Sequence, residues 1–286
     1  MNVEKMKIIY NFAAMKQLFF ILLTLALLSC NEQAEQFTIE VLNSYTPVKD
    51  QGKSSTCWAY AMLAAIETEH IMMGDSVHLS VAWVEHMLRK EPHAPQSLRA
   101  MAPTAIHLIQ RYGLVPYDAM PTADDLPPKW AFMLGAQYTP LEFAHSVCRP
   151  DEYIALGSSD AHPYNELFTP DVPDNWEHNQ LMNLTADSLL AVTETAVRNH
   201  HGVCWEGDIS EYGFDRKKGI AREHLVNGTT TDDHCMAIVG IARDAQGELF
   251  FIMKNSWGDD NPYHGLVYMS FAYFKQKTIA VVLPRT

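Results

Sequence analysis

The sequence predicts an α+β fold in which a helical front half precedes a β-rich back half. Two observations carry that expectation. Apolar residues recur at helical spacing as far as Tyr112, whereas beyond residue 200 they gather in short runs separated by polar breaks. A chain of 286 residues with 48% hydrophobic content can bury one large domain or two intimate lobes.

Ser55 or Thr56 can cap a helix over 57–73, with Trp58, Met62, Ala65, Ile66 and Glu69 near one face and Gly74 as its stop. Ser80 can cap a second helix to about residue 90. Ala105, Ile106, Leu108, Ile109 and Tyr112 predict a third before Gly113, and Thr185 caps a fourth whose apolar side is Leu189, Val192, Ala196 and Val197. The runs at 203–205, 235–241, 249–254, 266–270 and 279–283 then read as strands of an antiparallel sheet or barrel. Between 118 and 184, Pro, Asp and Asn are dense and no long periodic segment is found.

A formal charge of −13 without any Lys/Arg block argues against nucleic acid or an anionic membrane surface as a partner. There is no internal repeat and no glycine-rich phosphate loop, so no cofactor is expected. His200-His201 and Glu85-His86 lack the spacing of a helical zinc site and no Cys-x-x-Cys occurs, so no metal is expected either. At the N-terminus, Met15-Lys16 precedes an apolar run over 18–28, shorter than the ~20 residues of a membrane span but suited to a signal peptide. Leu27-Leu28-Ser29-Cys30 resembles a bacterial lipobox. The expectation is a lipid on Cys30 as the new N-terminus and a place in the bacterial cell envelope, at the outer membrane or periplasmic face. An ordinary signal peptide or an uncleaved anchor is the alternative.

Gln51-Gly52-Lys53-Ser54-Ser55-Thr56-Cys57-Trp58 places a thiol at the start of a helix, where the N-terminal N–H groups favour the thiolate. Two further segments are Asp232-Asp233-His234-Cys235 and Lys254-Asn255-Ser256-Trp257-Gly258. Together they resemble the papain-like cysteine peptidases, in which Gln, Cys, His and Asn follow in this chain order. Here His234 and Asn255 stand farther from Cys57 than the ~130–150 residues usual for that motif, which implies an insertion within 118–184. Thr46-Pro47-Val48-Lys49-Asp50-Gln51, Arg111-Tyr112-Gly113-Leu114-Val115-Pro116, Val172-Pro173-Asp174-Asn175-Trp176 and Gly207-Asp208-Ile209-Ser210 are similar to the bleomycin hydrolase and aminopeptidase C branch. The likeness covers residues 45–283.

The resemblance implies a papain-like, two-lobed fold with the site in the cleft between a helical lobe and an antiparallel β-barrel-like lobe. It divides the chain into a signal peptide over 1–30, a short tether over 31–44 and a peptidase domain over 45–286, its helical lobe at about 45–130 and its β-rich lobe at about 131–286. It implies peptide substrates, Cys57 as nucleophile, His234 as proton carrier, Asn255 as the group orienting His234, and Gln51 with the Cys57 N–H as oxyanion hole. Trp257 would shield the bond between Asn255 and His234, and Trp58 would be a core aromatic beside the nucleophile. A catalytically silent binding lipoprotein and a thiol acyltransferase or small-amide hydrolase are the rival readings.

Several residues depart from the family pattern or stay unassigned. Ser54 stands where many secreted relatives carry a disulfide cysteine, and Arg99-Ala100-Met101-Ala102 lacks its partner. No Gly-Gly occurs near 97–103 to pair with an extended substrate. Cys148 is unassigned, Cys204 and Cys235 could lie on neighbouring strands but read as buried free thiols, and Glu206 and Asp208 read as ordinary strand-end charges, with cleft carboxylates as the alternative. Asp232-Asp233 reads either as support for a charged His234 or as a solvated turn. In the branch it resembles, a C-terminal arm limits cleavage to peptide N-termini. Because 279–283 reads as a strand, amine preference here is expected not to depend on the C-terminus, and internal bonds are expected to be cut too.

Overall fold

The computed structural model describes residues 34–223 and 230–285, so the signal segment and Cys30 lie outside the described residues. Among the described residues six α-helices are interspersed with thirteen strands, and Gln36–Thr286 clusters as one body. The helices are α1 (Cys57–Met72), α2 (Val81–Leu88), α3 (Ala102–Tyr112), α4 (Pro140–Val147), α5 (Ala186–Arg198) and α6 (Phe271–Lys277). The strands are β1 (Thr38–Leu42), β2 (Ala131–Met133), β3 (Ala136–Tyr138), β4 (Tyr153–Gly157), β5 (Leu167–Phe168), β6 (Leu181–Asn183), β7 (Val203–Gly207), β8 (Phe214–Asp215), β9 (Ile220–Ala221), β10 (His234–Arg243), β11 (Leu249–Lys254), β12 (Leu266–Ser270) and β13 (Thr278–Pro284).

The four helices anticipated from sequence form where expected. Ser80 Oγ accepts from Trp83 N and Thr185 Oγ1 from Ser188 N, each satisfying one orphan donor of a first turn. Gly113 ends α3 with φ of 81°, a conformation open to glycine at little cost. Helix α1 differs from an amphipathic surface helix. It packs on β10 and β7 at one side and on α2 and α3 at the other, so Trp58 to Ile66 and even Glu67, Glu69 and His70 are buried apart from Tyr60.

Eleven strands join in one sheet of order β5-β6-β4-β13-β7-β10-β11-β12-β9-β8, with β1 also paired to β10. All pairs in it are antiparallel except β4 with β6 and β9 with β12. The alternation of side chains along β7 and β10 divides the interior into two cores. Cys204 and Cys235 face the core of α1, α2 and α3, while Val203, Trp205, Met236 and Ile238 face the core beneath α5 and α6. Gly202 permits the close approach of α1 to β7, since a Cβ there would meet the Ala65 carbonyl oxygen at 2.1 Å.

Two stretches hold more structure than the sequence shows. The stretch read as a tether contains β1, whose residues Thr38 to Leu42 pair with Arg243 to Gly240 of β10. The span over 118–184, read as having no long periodic segment, contains the short helix α4 and the strand β4. Helix α4 has only 8 residues, too few to show a period, yet Thr139 and Glu142 around Pro140 form a full capping box. The other missed helix, α6, begins where Ser270 Oγ accepts from Tyr273 N.

Candidate active site

Cys57, His234, Asn255, Gln51 and Trp257 come together at the N-terminal end of α1, the start of β10 and the end of β11. Cys57 is the first residue of α1 and half-buried. Thr56 occupies the cap position, but its hydroxyl donates to Glu85 and makes no cap bond, so the positive end of the helix is left to the Cys57 sulfur.

His234 is buried, and its Nε2 lies 2.8 Å from Asn255 Oδ1. Ser256 N also donates to that oxygen at 2.8 Å, which fixes the amide orientation and makes His234 Nε2 the donor. His234 Nδ1 is then the nitrogen left to exchange a proton with the thiol, and the interaction with His234 helps to lower the Cys57 thiol. Trp257 stacks on the imidazole with ring centroids 4.4 Å apart and screens its bond to Asn255 from water. Arg216 covers the indole in turn, 4.9 Å from its centroid.

Gln51 is held at three points. Its N–H donates to Ser256 O, its Oε1 accepts from Ser256 Oγ at 2.6 Å, and its Nε2 donates to Ser54 O at 2.7 Å. A carboxamide nitrogen carries two hydrogens, so one remains to polarise a carbonyl beside Cys57. Gln51→Ala is expected to lower kcat by about 10² to 10³, the cost of one oxyanion donor, with KM changed far less. An unchanged kcat in a steady-state assay would remove Gln51 from the chemistry. Trp58 is fully buried and its Nε1 donates to Leu98 O at 2.9 Å, tying the start of α1 to the segment over 97–103.

A second thiol completes the electrostatics of Cys57. The Cys235 side chain donates to the Cys57 sulfur, and this bond first, then the bond and charge of His234, hold the Cys57 thiol well below the ordinary range despite its burial. Burial, then the same bond, pushes Cys235 well up, so Cys235 keeps its proton and acts as the donor. Cys235→Ala is therefore expected to move the pH profile of Cys57 alkylation by iodoacetamide to higher pH, slowing reaction below neutrality most. An unmoved profile would leave the thiolate supported by His234 and the helix alone.

Sequence reasoning left Cys235 without this task, because nothing local distinguishes it from a buried thiol. The structure does place Cys204 and Cys235 on neighbouring strands, and Cys57, Cys148, Cys204 and Cys235 are all free. Glu206 and Asp208 are not strand-end charges in solvent, since each is only 1% exposed. The missed residues also include a buried ionic cluster behind the site. Glu67 of α1 takes Lys49 Nζ at 2.9 Å and Leu79 N at 2.8 Å, bonds to Thr46, and lies 3.9 Å from Lys254 Nζ. Burial works to raise the Glu67 carboxyl, but the two lysines and its hydrogen bonds hold it below the ordinary range.

Residues 221–286, which carry both His234 and Asn255, match the model of the Peptidase C1-like family. The thiol protease SEN102 of Hemerocallis sp. is 26% identical over 228 residues, covering 78% of this chain and 51% of that protein. Aminopeptidase E of Lactobacillus helveticus is 24% identical over 177 residues, covering 53% of this chain and 40% of that one. The chain thus spans about half the length of these curated relatives or less. Among solved structures, PepW of Lactobacillus rhamnosis HN001 superposes over 100% of this chain and 92% of its own, with a TM-score of 0.64 at 15% identity, a likeness of fold. The fold is thus papain-like, and the chain is similar to C1-type peptidases, a thiol protease and aminopeptidases among them.

Proposed function

We propose that this protein is a cysteine peptidase that hydrolyses peptide bonds through Cys57, His234, Asn255 and Gln51, with an aminopeptidase leaning. The observation that carries the reading is the bond of His234 to Asn255 beside a Cys57 thiol that starts α1 and is lowered by His234. The Cys57 thiolate attacks the scissile carbonyl carbon, and the oxygen takes up negative charge against Gln51 Nε2 and the Cys57 N–H. His234 gives its Nδ1 proton to the nitrogen of the leaving amine as the C–N bond breaks, which leaves a thioester on Cys57. Water then loses a proton to His234 Nδ1 and attacks the thioester, releasing the acid and restoring the thiolate with its imidazolium. Asn255 holds the ring in one orientation through both steps, the part a carboxylate takes in serine triads.

The aminopeptidase leaning rests on the aminopeptidase relative. Attachment to the cell envelope through a lipid on Cys30 is proposed from the apolar run before Ser29 alone. The test is labelling with an epoxide thiol probe followed by digestion of a peptide library. Labelling confined to Cys57 together with cleavage supports the reading, and a protein that takes the probe but leaves every peptide intact overturns it.

A further inference from the structure

A group of acids lies on one wall of the site with fewer cations than it needs. Glu206 of β7 sits directly across from Cys235 of β10, so their side chains share the face that meets α1. Asp232 precedes His234 by two residues and is partly exposed. Glu206 Oε2 accepts from Ala102 N at 3.0 Å, but Glu206 Oε1 and Asp232 Oδ2 are buried and take no bond from any N–H or O–H donor among the described residues. Each carboxyl acts on the other, and one proton between them supplies what neither vacant oxygen receives from the rest of the protein. The nearby cation, Arg99, is committed to Asp174, with Nε at 2.9 Å from each carboxylate oxygen, and gives Asp232 only a bond to its backbone oxygen.

This shared proton is held against the surrounding charge. Burial, then the charge of Asp232, drives Glu206 well above the usual carboxylate range. Burial, then the charge of Asp174, raises Asp232 to about 7, and the Cys57 thiolate adds to both. The same negative charge that retains this proton favours any other cation that reaches the pair.

The sheet fixes which part of a substrate meets this wall. Strand β10 lies between β7 and β11, so Glu206 on β7 and Trp257 just beyond β11 flank His234 on opposite sides. The leaving amine must approach His234, whose ring stacks on Trp257, and the acyl portion therefore extends toward Glu206 and Asp232.

We propose that Glu206 and Asp232 form a receptor for a positively charged group on the acyl side of the scissile bond, either the substrate's free α-ammonium or a basic side chain. This rests on the peptidase reading and names its substrate class. The arriving cation takes the place of the shared proton, which passes to solvent at the exposed edge of Asp232. The amine preference of such a site is built into the cleft wall.

The test measures binding to the Cys57→Ala protein, so that the outcome does not depend on turnover. Three peptides are titrated by calorimetry: trialanine amide with a free amine, its N-acetylated form, and acetylated Lys-Ala-Ala amide. At least one cationic peptide is expected to bind on the order of ten- to a hundredfold more tightly than the neutral one, the range of a hydrogen bond to a charged group. Which of the two does so identifies the source of the charge. Adding Asp232→Asn or Glu206→Gln, both isosteric, should reduce that preference to about twofold while neutral binding holds. Equal binding of neutral and charged peptides, or a preference that survives both substitutions, overturns the proposal. A preference that holds in a protein whose wild type cleaves nothing would sink the peptidase reading and leave the receptor standing.

Discussion

Cys57→Ala is expected to lower peptide hydrolysis by about 10⁶-fold, the size of loss seen when a triad nucleophile is removed, while the melting temperature stays close to wild type. The chemical loss follows from the absence of any substitute. Cys235 is the other thiol in contact with the site, and it is buried, protonated and facing Cys57. The fold survives because position 57 is the first residue of α1, is only half-buried, and accepts alanine, the best helix former. His234→Ala should be almost as damaging. Asn255→Ala should cost less, since it frees the imidazole to rotate without removing the proton carrier. Steady-state kinetics on a fluorogenic peptide amide beside a thermal melt decide the matter, and wild-type turnover in Cys57→Ala would end the proposed mechanism.

The second large effect is on stability. Glu67→Gln should destabilise the protein by about 3–5 kcal/mol, because it leaves buried lysine charge uncompensated. The Glu67 side chain is 0% exposed and that of Lys254 only 4%. Burial has already pushed Lys254 down to about 8, with Glu67 opposing that fall. Replacing Glu67 and Lys254 together by leucine and methionine should cost less than Glu67→Gln alone, since no unpaired charge then remains at those positions.

The pH dependence has a definite sign. Glu67 titrates below its unfolded value, so its contribution is complete above about pH 4.3 and fades as pH falls through the lower folded value. Lys254 titrates below its unfolded value of about 10.4, so in the window between the two the unfolded chain binds the extra proton and stability rises with pH. The deficit of Glu67→Gln should therefore shrink between pH 7 and pH 9, as Lys254 sheds its charge. Urea unfolding at the two pH values measures this, and a deficit under 1 kcal/mol at pH 7 would show that the cluster is solvated. Activity should fall as well, because Lys254 immediately precedes Asn255.

What could be read from sequence was whatever has a short-range signature. Cys57-Trp58 at a helix start, the stops at Gly74 and Gly113, and the caps Ser80 and Thr185 depend on a few neighbouring residues, and the structure places elements there. The five late strands were legible from their apolar runs. What stayed hidden depends on partners far along the chain. Glu67 is one of several charges in α1 that resemble a solvent face, and it becomes an interior anion because Thr46, Lys49, Leu79 and Lys254 close over it. Glu206 reads as the polar end of a strand until Ala102 and Asp232 close over it. Strand β1 is short and carries Glu40, so only its pairing with β10 two hundred residues later reveals it.

The two faces of β10 bear on how the molecule fails. His234 and Cys235 open one strand and pair there with β7, and from Ala237 onward that strand is hydrogen-bonded along both edges by β7, β1 and β11 while closing two cores at once. Backbone so enclosed exchanges its amide hydrogens only when the whole domain opens, in contrast to sites carried on loops that fray independently. The part of the site carried on β10 is then tied to the opening of the cores beneath it. Its lifetime under heat or denaturant is that of the native state, so inactivation and unfolding proceed as one cooperative event.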